Sequence, residues 1–157
     1  MQAIVCVSEN WGIGHDGQLL FRLSADLKRF RALTLGKTVL LGSRTLATFP
    51  EGKPLSERRC VVLTRSAEPI PGAETVHTVN DARALAGGDA IVIGGASVYA
   101  LLLPHCERVL VTKVYASPKA DSFFPNLDAH PDWRVESESE RMEENGLSFR
   151  FIDYVKK

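Results

Sequence analysis

A carboxylate, Asp26, falls in the first turn of a segment, residues 24–34, where Leu23, Leu27, Phe30 and Leu33 recur at helical spacing. Asp26, Phe30 and Leu33 sit at i, i+4 and i+7, so the acid shares a helix face with an aromatic ring. An acid there complements the positive end of the helix, which is worth about 0.3–1 kcal/mol and needs no ligand. Set beside Phe30 in a cleft, the same acid is costly unless hydrogen-bond donors meet it. Its two oxygens could then accept two parallel N–H bonds from an amidine-like ring edge.

A second kind of chemistry is written in glycine. Two strand-like runs pass directly into helix-like runs through glycine, "LLGSRT" (40–45) and "IVIGGASVY" (91–99). Each is readable as a tight turn, but two in one small chain favour a pair of backbone N–H clusters that can meet a phosphate. Basic residues follow strand ends at Arg44, Arg65 and the pair Arg58-Arg59.

Other matches fail on context. Gly12, Gly14 and Gly17 spell a G-x-G-x-x-G after the apolar run at 3–7. A dinucleotide-binding unit would begin its helix at once, whereas here "QLLFRL" follows and the helical signal waits until Ser24. The better reading is a long glycine-rich loop that crosses a site and can move. "GKT" (36–38) lacks the upstream glycine of a P-loop, since Arg31 stands there, and Pro118 breaks the helical turn that a Tyr115/Lys119 pair would need. Ser43 and Ser97 lack the nucleophile-elbow glycines.

These groups need a scaffold. Strands are expected at 3–8, 37–42, 60–64, near 74–77, 90–95 and 108–114. Helices are expected at 24–34 with Ser24 as N-cap, at 43–49 stopped by Pro50, at 80–86 opened by Asn80 or Asp81, and at 96–103 ended by Pro104. A terminal hairpin runs from 133–139 through Asn145-Gly146 to 148–155, where adjacent Phe151 and Ile152 hint at a bulge or two covered faces. Continuous Val/Ile/Leu strands alternating with short helices imply one α/β domain over residues 1–157, with a mostly parallel sheet covered on both sides. Ligands in such sheets sit at the carboxyl ends of the strands.

Composition narrows the partners. The chain has 157 residues and 45% hydrophobic residues, enough for one core. Nineteen basic residues balance 19 acidic ones, which gives no bulk field for nucleic acid or an anionic membrane. No apolar run is long enough for a bilayer, and residues 1–7 do not read as a signal peptide. Cys6, Cys60 and Cys106 read as reduced, buried thiols of a cytoplasmic protein, and the four histidines share no ligand spacing, so no metal is expected.

Taken together, "NWGIGHDGQLLFRLSADLKRF", "GKTVLLGSRT", "RRCVVLT", "IVIGGASVY", "VTKV" and "DSFFP" resemble, in order and separation, the segments of dihydrofolate reductase. The resemblance covers essentially the whole chain. It implies a central, mostly parallel eight-stranded sheet with four flanking helices and an antiparallel C-terminal hairpin. It also implies NADPH-dependent reduction of 7,8-dihydrofolate to tetrahydrofolate for one-carbon metabolism, by a cytoplasmic monomer that antifolates would inhibit. Asp26 would then hold the pterin 2-amino group and N3, supported by Thr112. Ile4, Val5, Leu27, Phe30 and Ile93 would line the pterin site, Phe49 the benzoyl part, and Arg58 would pair with the glutamate α-carboxylate. Residues 9–23 would form a lid, with Gly14, Gly17, Gln18, Leu19 and also Ile93 at the cofactor, Cys6 and Ile13 flanking the nicotinamide mainly through backbone groups, and Tyr99 packing near the nicotinamide half. Gly42, Ser43, Arg44 and Thr45 would cradle phosphates together with Gly94, Gly95, Ala96, Ser97 and Val98, while Leu63, Thr64 and Arg65 would also bind the cofactor. The chain departs from the family at Leu20-Phe21, where Pro-Trp is usual, and at Ser43, where an arginine commonly meets the 2′-phosphate. Arg44, Thr64 and Arg65 are expected to share that task.

Overall fold

The computed structural model describes all of residues 1–157. In chain order the strands are β1 (Gln2–Val7), β2 (Gly12–His15), β3 (Gln18–Leu19), β4 (Thr38–Gly42), β5 (Arg59–Leu63), β6 (Ala73–Val76), β7 (Ile91–Gly94), β8 (Arg108–Val114), β9 (Ser122–Phe123), β10 (Trp133–Glu138), β11 (Met142–Glu144) and β12 (Leu147–Lys156). The helices are α1 (Ser24–Thr34), α2 (Ser43–Ala47), α3 (Val79–Ala86) and α4 (Ala96–Leu102). The main sheet has the order β10-β12-β8-β1-β7-β4-β5-β6, with the short β11 also on β12. Strands β8, β1, β7, β4, β5 and β6 run parallel, and β12 and its neighbours add the antiparallel edge.

Strict side-chain alternation splits the core into two layers. On β1, Ala3, Val5 and Val7 join the large cluster under α3 and α4, which also takes Leu40, Val61, Val109 and Val111. Ile4 packs instead with Ile91 and Leu110 beneath Phe30 and Leu33 of α1. Val39, Leu41, Cys60 and Val62 face α2 through Leu46. Both faces are thus apolar, and this explains the unbroken hydrophobic strands.

Several elements differ from their expected form. Leu23, not Ser24, occupies the N-cap of α1, and no side chain of its own turn caps it. The carboxylate of Glu144 on β11 does so from across the molecule, accepting from the N–H groups of Ser24 (2.6 Å) and Ala25 (3.1 Å). Thr78 caps α3, ahead of the expected Asn80 or Asp81, its hydroxyl accepting from Asp81 N at 3.0 Å. Helix α2 stops at Ala47, and a short 3₁₀ turn, Pro50–Gly52, follows Phe49. The terminal hairpin is interrupted: Asn145-Gly146 connects β11 to β12, while β10 pairs farther along the same strand. The bulge lies on β10, between Val135 and Ser137, and not on β12. Phe151 and Ile152 are adjacent because β12 is covered on both faces, Ile152 by the large cluster and Phe151 by the α1 side.

Candidate functional site

Helix α1 lies across the sheet with Asp26 turned toward it. Thr112 on β8 is 2% exposed, and its hydroxyl donates to Asp26 Oδ1 at 2.6 Å. Register fixes the surroundings: Cys6 of β1 pairs with Thr112, and Thr112 with Phe151 of β12, so the three form one lateral row beneath α1. Burial raises the proton affinity of Asp26 above that of an ordinary carboxyl, opposed by the Thr112 hydrogen bond, the charge of Arg29 and the Cys6 thiol. Burial first, and then the Asp26 charge, push the Cys6 thiol far above the usual thiol range, so it is a hydrogen-bond donor and not a nucleophile. Tyr99 on α4 is driven upward for the same reasons, and its hydroxyl donates to Ile4 O at 2.6 Å.

The other end of α1 carries a guanidinium. Arg58 donates from Nε to Thr34 Oγ1 at 3.1 Å and from Nη1 to Ser56 O at 2.9 Å. Thr34 in turn donates to Phe30 O at 2.7 Å. Asp26 and Thr34 are separated along the helix axis by roughly 12 Å at about 1.5 Å per residue. The helix therefore spaces one acid and one base along a single wall. Phe30, Leu33, Phe49 and Ile93 pack half-buried along that wall, and Leu27 is 47% exposed on it. Val5 departs from the expected lining: alternation buries its side chain on the opposite face, so only its backbone can reach this cleft. Arg59, grouped with Arg58 in sequence, points elsewhere and pairs with Glu74 on β6.

The two glycine turns meet at the carboxyl ends of β4 and β7. Gly42 and Gly95 are the N-caps of α2 and α4, and neither helix start carries a side-chain cap. A Cβ on Gly95 would lie 3.1 Å from Thr45 Oγ1, and one on Gly42 3.0 Å from Val98 Cγ2, so the turns interlock as bare backbone. Ser43, Arg44, Ser97 and Arg65 are exposed, Thr45, Leu63 and Ala96 half-buried, and Thr64, Val98 and Tyr99 buried. A cavity of about 410 Å³ beside α2 is lined by Ser43, Leu46, Thr64, Ser66 and one acid, Glu68. The uncapped N–H groups of both helix starts and the bare glycine backbone fit a phosphate-bearing nucleotide.

The segment 9–23, expected as an open loop, is partly a small sheet of order β3-β2-β9. Asp121 fastens it from the far side, accepting from Asp16 N at 2.9 Å and donating through its own N–H to Gly14 O at 2.9 Å. Its three glycines have two different causes. Cβ atoms at Gly12 and Gly14 would sit 2.8 Å from Ala120 Cβ and 2.9 Å from Ser122 Oγ, which is close packing. Gly17, at φ 75° with open space around it, makes the turn between β2 and β3. Ile13 is buried in the large cluster, while Gln18 and Leu19 are exposed. Asp121 carried a visible signal in "DSFFP", whereas Glu144 had none, because its partners lie about 120 residues away.

Comparison with known proteins agrees with this geometry. The family described as dihydrofolate reductase matches residues 1–156. A dihydrofolate reductase of Mycobacterium tuberculosis is 39% identical over 147 residues, covering 90% of this chain and 89% of its own. One of Neisseria gonorrhoeae is 34% identical over 158 residues, covering 98% and 96%. The solved dihydrofolate reductase from Enterococcus faecalis, complexed with NADP(H) and RAB-propyl, superposes with a TM-score of 0.85 at 28% identity, over 99% of this chain and 95% of the other.

Proposed function

The chain belongs to the dihydrofolate reductase family and catalyses NADPH-dependent reduction of 7,8-dihydrofolate to 5,6,7,8-tetrahydrofolate, and from this premise we propose that Asp26 is the group that holds and polarises the pterin. The observation that carries this reading is a half-buried carboxylate braced by the Thr112 hydroxyl at 2.6 Å in the cleft under α1. Its oxygens accept the paired N–H groups of the 2-amino group and N3, a bidentate contact that fixes the ring in plane. Thr112 spends its proton on Asp26, which locks one oxygen and leaves the outer lone pairs for substrate.

When bound, NADPH supplies the hydride that reaches C6 of the pterin. The C6=N5 imine accepts a hydride readily only as its N5-protonated cation. Asp26 stabilises that cation electrostatically across the ring, and a water delivers the proton. Cys6 and Tyr99, beside Asp26, are held protonated by burial and are too weak as acids to supply that proton. Ile4, Leu27, Phe30 and Ile93 form the apolar walls, with Phe49 toward the benzoyl part and Arg58 on the glutamate α-carboxylate. The backbone of Gly42–Thr45 and Gly94–Val98 holds the cofactor phosphates, and Arg44, Thr64 and Arg65 take the 2′-phosphate in place of an arginine at Ser43. The backbone of Cys6 and the residues Ile13–Leu19 cover the nicotinamide, and excluding bulk water there strengthens every charge interaction.

We also read the chain as one domain acting as a cytoplasmic monomer, with no nucleic-acid partner and with antifolates as ligands. Its balanced charge supports the absence of a nucleic-acid partner, and no helix is long and apolar enough to cross a membrane. Mixing the protein with NADPH and dihydrofolate and following loss of reduced-nicotinamide absorbance tests the assignment of Asp26. The parent turns over rapidly. Asp26→Asn loses most activity at neutral pH and recovers part of it in acid, where substrate arrives already protonated. An unchanged neutral rate in the variant removes Asp26 from the mechanism.

A further inference from the structure

One charged cluster lies beside the site without belonging to it. Arg29 follows Asp26 by one helical turn, so both side chains leave the same stretch of α1. Its guanidinium carbon lies 4.2 Å from the centroid of the Phe151 ring, and its Nη2 is 3.1 Å from Asp153 Oδ1 on β12. The two side chains are 21% and 24% exposed, so the pair is largely removed from water. Phe151 is the third member of the row Cys6–Thr112–Phe151. Asp26 thus meets the middle of that row through Thr112 while Arg29 covers its end.

The counter-charge is shared. Asp153 Oδ2 also lies 3.8 Å from Arg108 Nη1, and Arg108 is itself paired with Glu136 at 2.8 Å. Asp153 therefore offsets part of the Arg29 charge and leaves the rest to act along α1.

We propose that Arg29 is a positioning residue for Asp26 that acts through space: clamped between Phe151 and Asp153, its guanidinium supplies the positive charge that balances the pocket carboxylate, and Asp153 sets how much of that charge Asp26 feels. The proposal rests on the assignment of Asp26 as the pterin ligand. Nothing else near Asp26 can perform this task. Cys6 on β1 and Tyr99 on α4 are neutral, and Glu144 on β11, at the start of α1 near Lys28, is itself an anion. Burial drives Asp26 toward protonation, and Arg29 is the one cation that opposes it. A protonated Asp26 has lost the acceptor pair that holds the pterin, so Arg29 keeps the site competent at neutral pH.

Three variants separate this idea from a merely structural role. In the free protein, Asp26 is titrated by carbon NMR of carboxyl-labelled aspartate, with Asp26→Asn used to assign the resonance. Arg29→Met keeps the apolar stem and removes the charge, and the Asp26 midpoint moves up by roughly one unit, the low end for a nearby opposite charge. Asp153→Asn releases more of the guanidinium field, and the midpoint moves down. Arg29→Lys leaves it near the parent value. The pH profile of kcat/KM shifts in the same directions, with KM changing more than kcat for Arg29→Met. Shifts of the same sign in Arg29→Met and Asp153→Asn, or none in either, overturn the proposal. If Arg29→Met does not fold, Arg29→Gln takes its place, and an absent upward shift there overturns the proposal. An Asp26→Asn enzyme with full activity would instead sink the pterin assignment while leaving the NMR result standing.

Discussion

Replacing Arg58 by lysine isolates what a planar cation does at the far end of α1. The guanidinium has five N–H groups. Nε is committed to Thr34 Oγ1 and one Nη1 hydrogen to Ser56 O. Three remain, and two of them form the end-on edge that matches a carboxylate. Lysine keeps the charge but loses the second parallel hydrogen bond and the brace on Thr34. One charge-assisted hydrogen bond is worth about 1.5–3 kcal/mol, or roughly 10- to 150-fold in affinity at about 1.4 kcal/mol per decade. Arg58 is only half-buried, and solvent screening favours the lower part of that range, a rise in KM of about 10- to 30-fold. Since Thr34, which Arg58 braces, lies roughly 12 Å along α1 from Asp26, kcat should stay within about a factor of two. Steady-state NADPH oxidation is measured with dihydrofolate and with an analogue truncated before the glutamate. The truncated analogue should bind parent and variant alike. An equal rise in KM for both substrates, or a fall in kcat that matches the rise in KM, refutes the pairing of Arg58 with the α-carboxylate.

Because burial raises the folded-state proton affinity of Asp26, its stabilising contribution is complete below the ordinary carboxylate range and is lost as pH rises through the raised folded value. Asp26→Asn should therefore melt higher than the parent at pH 8 and lose that advantage in acid, even though the proposed mechanism has it lose most activity; thermal melts across pH that show a less stable variant at pH 8 count against the burial argument. Removing the charges of Arg44 and Arg65 together should weaken NADPH by about tenfold or more while leaving NADH nearly unchanged, and equal losses in fluorescence titrations would defeat their assignment to the 2′-phosphate. Gly12→Ala forces a methyl to 2.8 Å from Ala120 Cβ, and chemical denaturation should report a loss of about 1–3 kcal/mol. Gly17→Ala meets no atoms, is opposed only by its positive φ, and should cost about 1–2 kcal/mol; a loss larger than that of Gly12→Ala counts against this division of causes.

The parallel half of the sheet is legible because each strand is buried on both faces and so carries its own signal. "VLLG" and "IVIG" need no partner to be identified as central strands. Caps were harder. Thr78 takes the start of α3 from two plausible rivals two or three residues downstream, its own hydroxyl accepting from Asp81 N while Ala82 and Ala86 turn into the core. The terminal hairpin misled for a related reason. Asn145-Gly146 marks a turn correctly, but a turn signal says nothing about how far pairing continues before it, and here it stops at Met142.

At the site, legibility follows the range of the interaction. Asp26, Phe30 and Leu33 announce themselves because a helix makes neighbours of residues a few positions apart. Arg29 lies inside the same segment, yet its importance depends on Phe151 and Asp153 on β12, more than 120 residues away, as its hydrogen bond shows. The glycines of the 9–23 segment show the same limit from another side. Gly12 and Gly17 look alike in a motif, but one is excluded by Ala120 and Ser8 and the other is required by a turn, and only the fold distinguishes an occupied space from an unusual dihedral angle. A residue's chemistry can be read from its type; which charge it answers to depends on strand register. In this chain the pairing Cys6–Thr112–Phe151 sets what Asp26 and Arg29, neighbours on α1, each meet on the sheet. A one-residue slip of β12 against β8 would turn Phe151 and Asp153 to the other face and strip Arg29 of both its ring and its carboxylate while every local motif stayed intact.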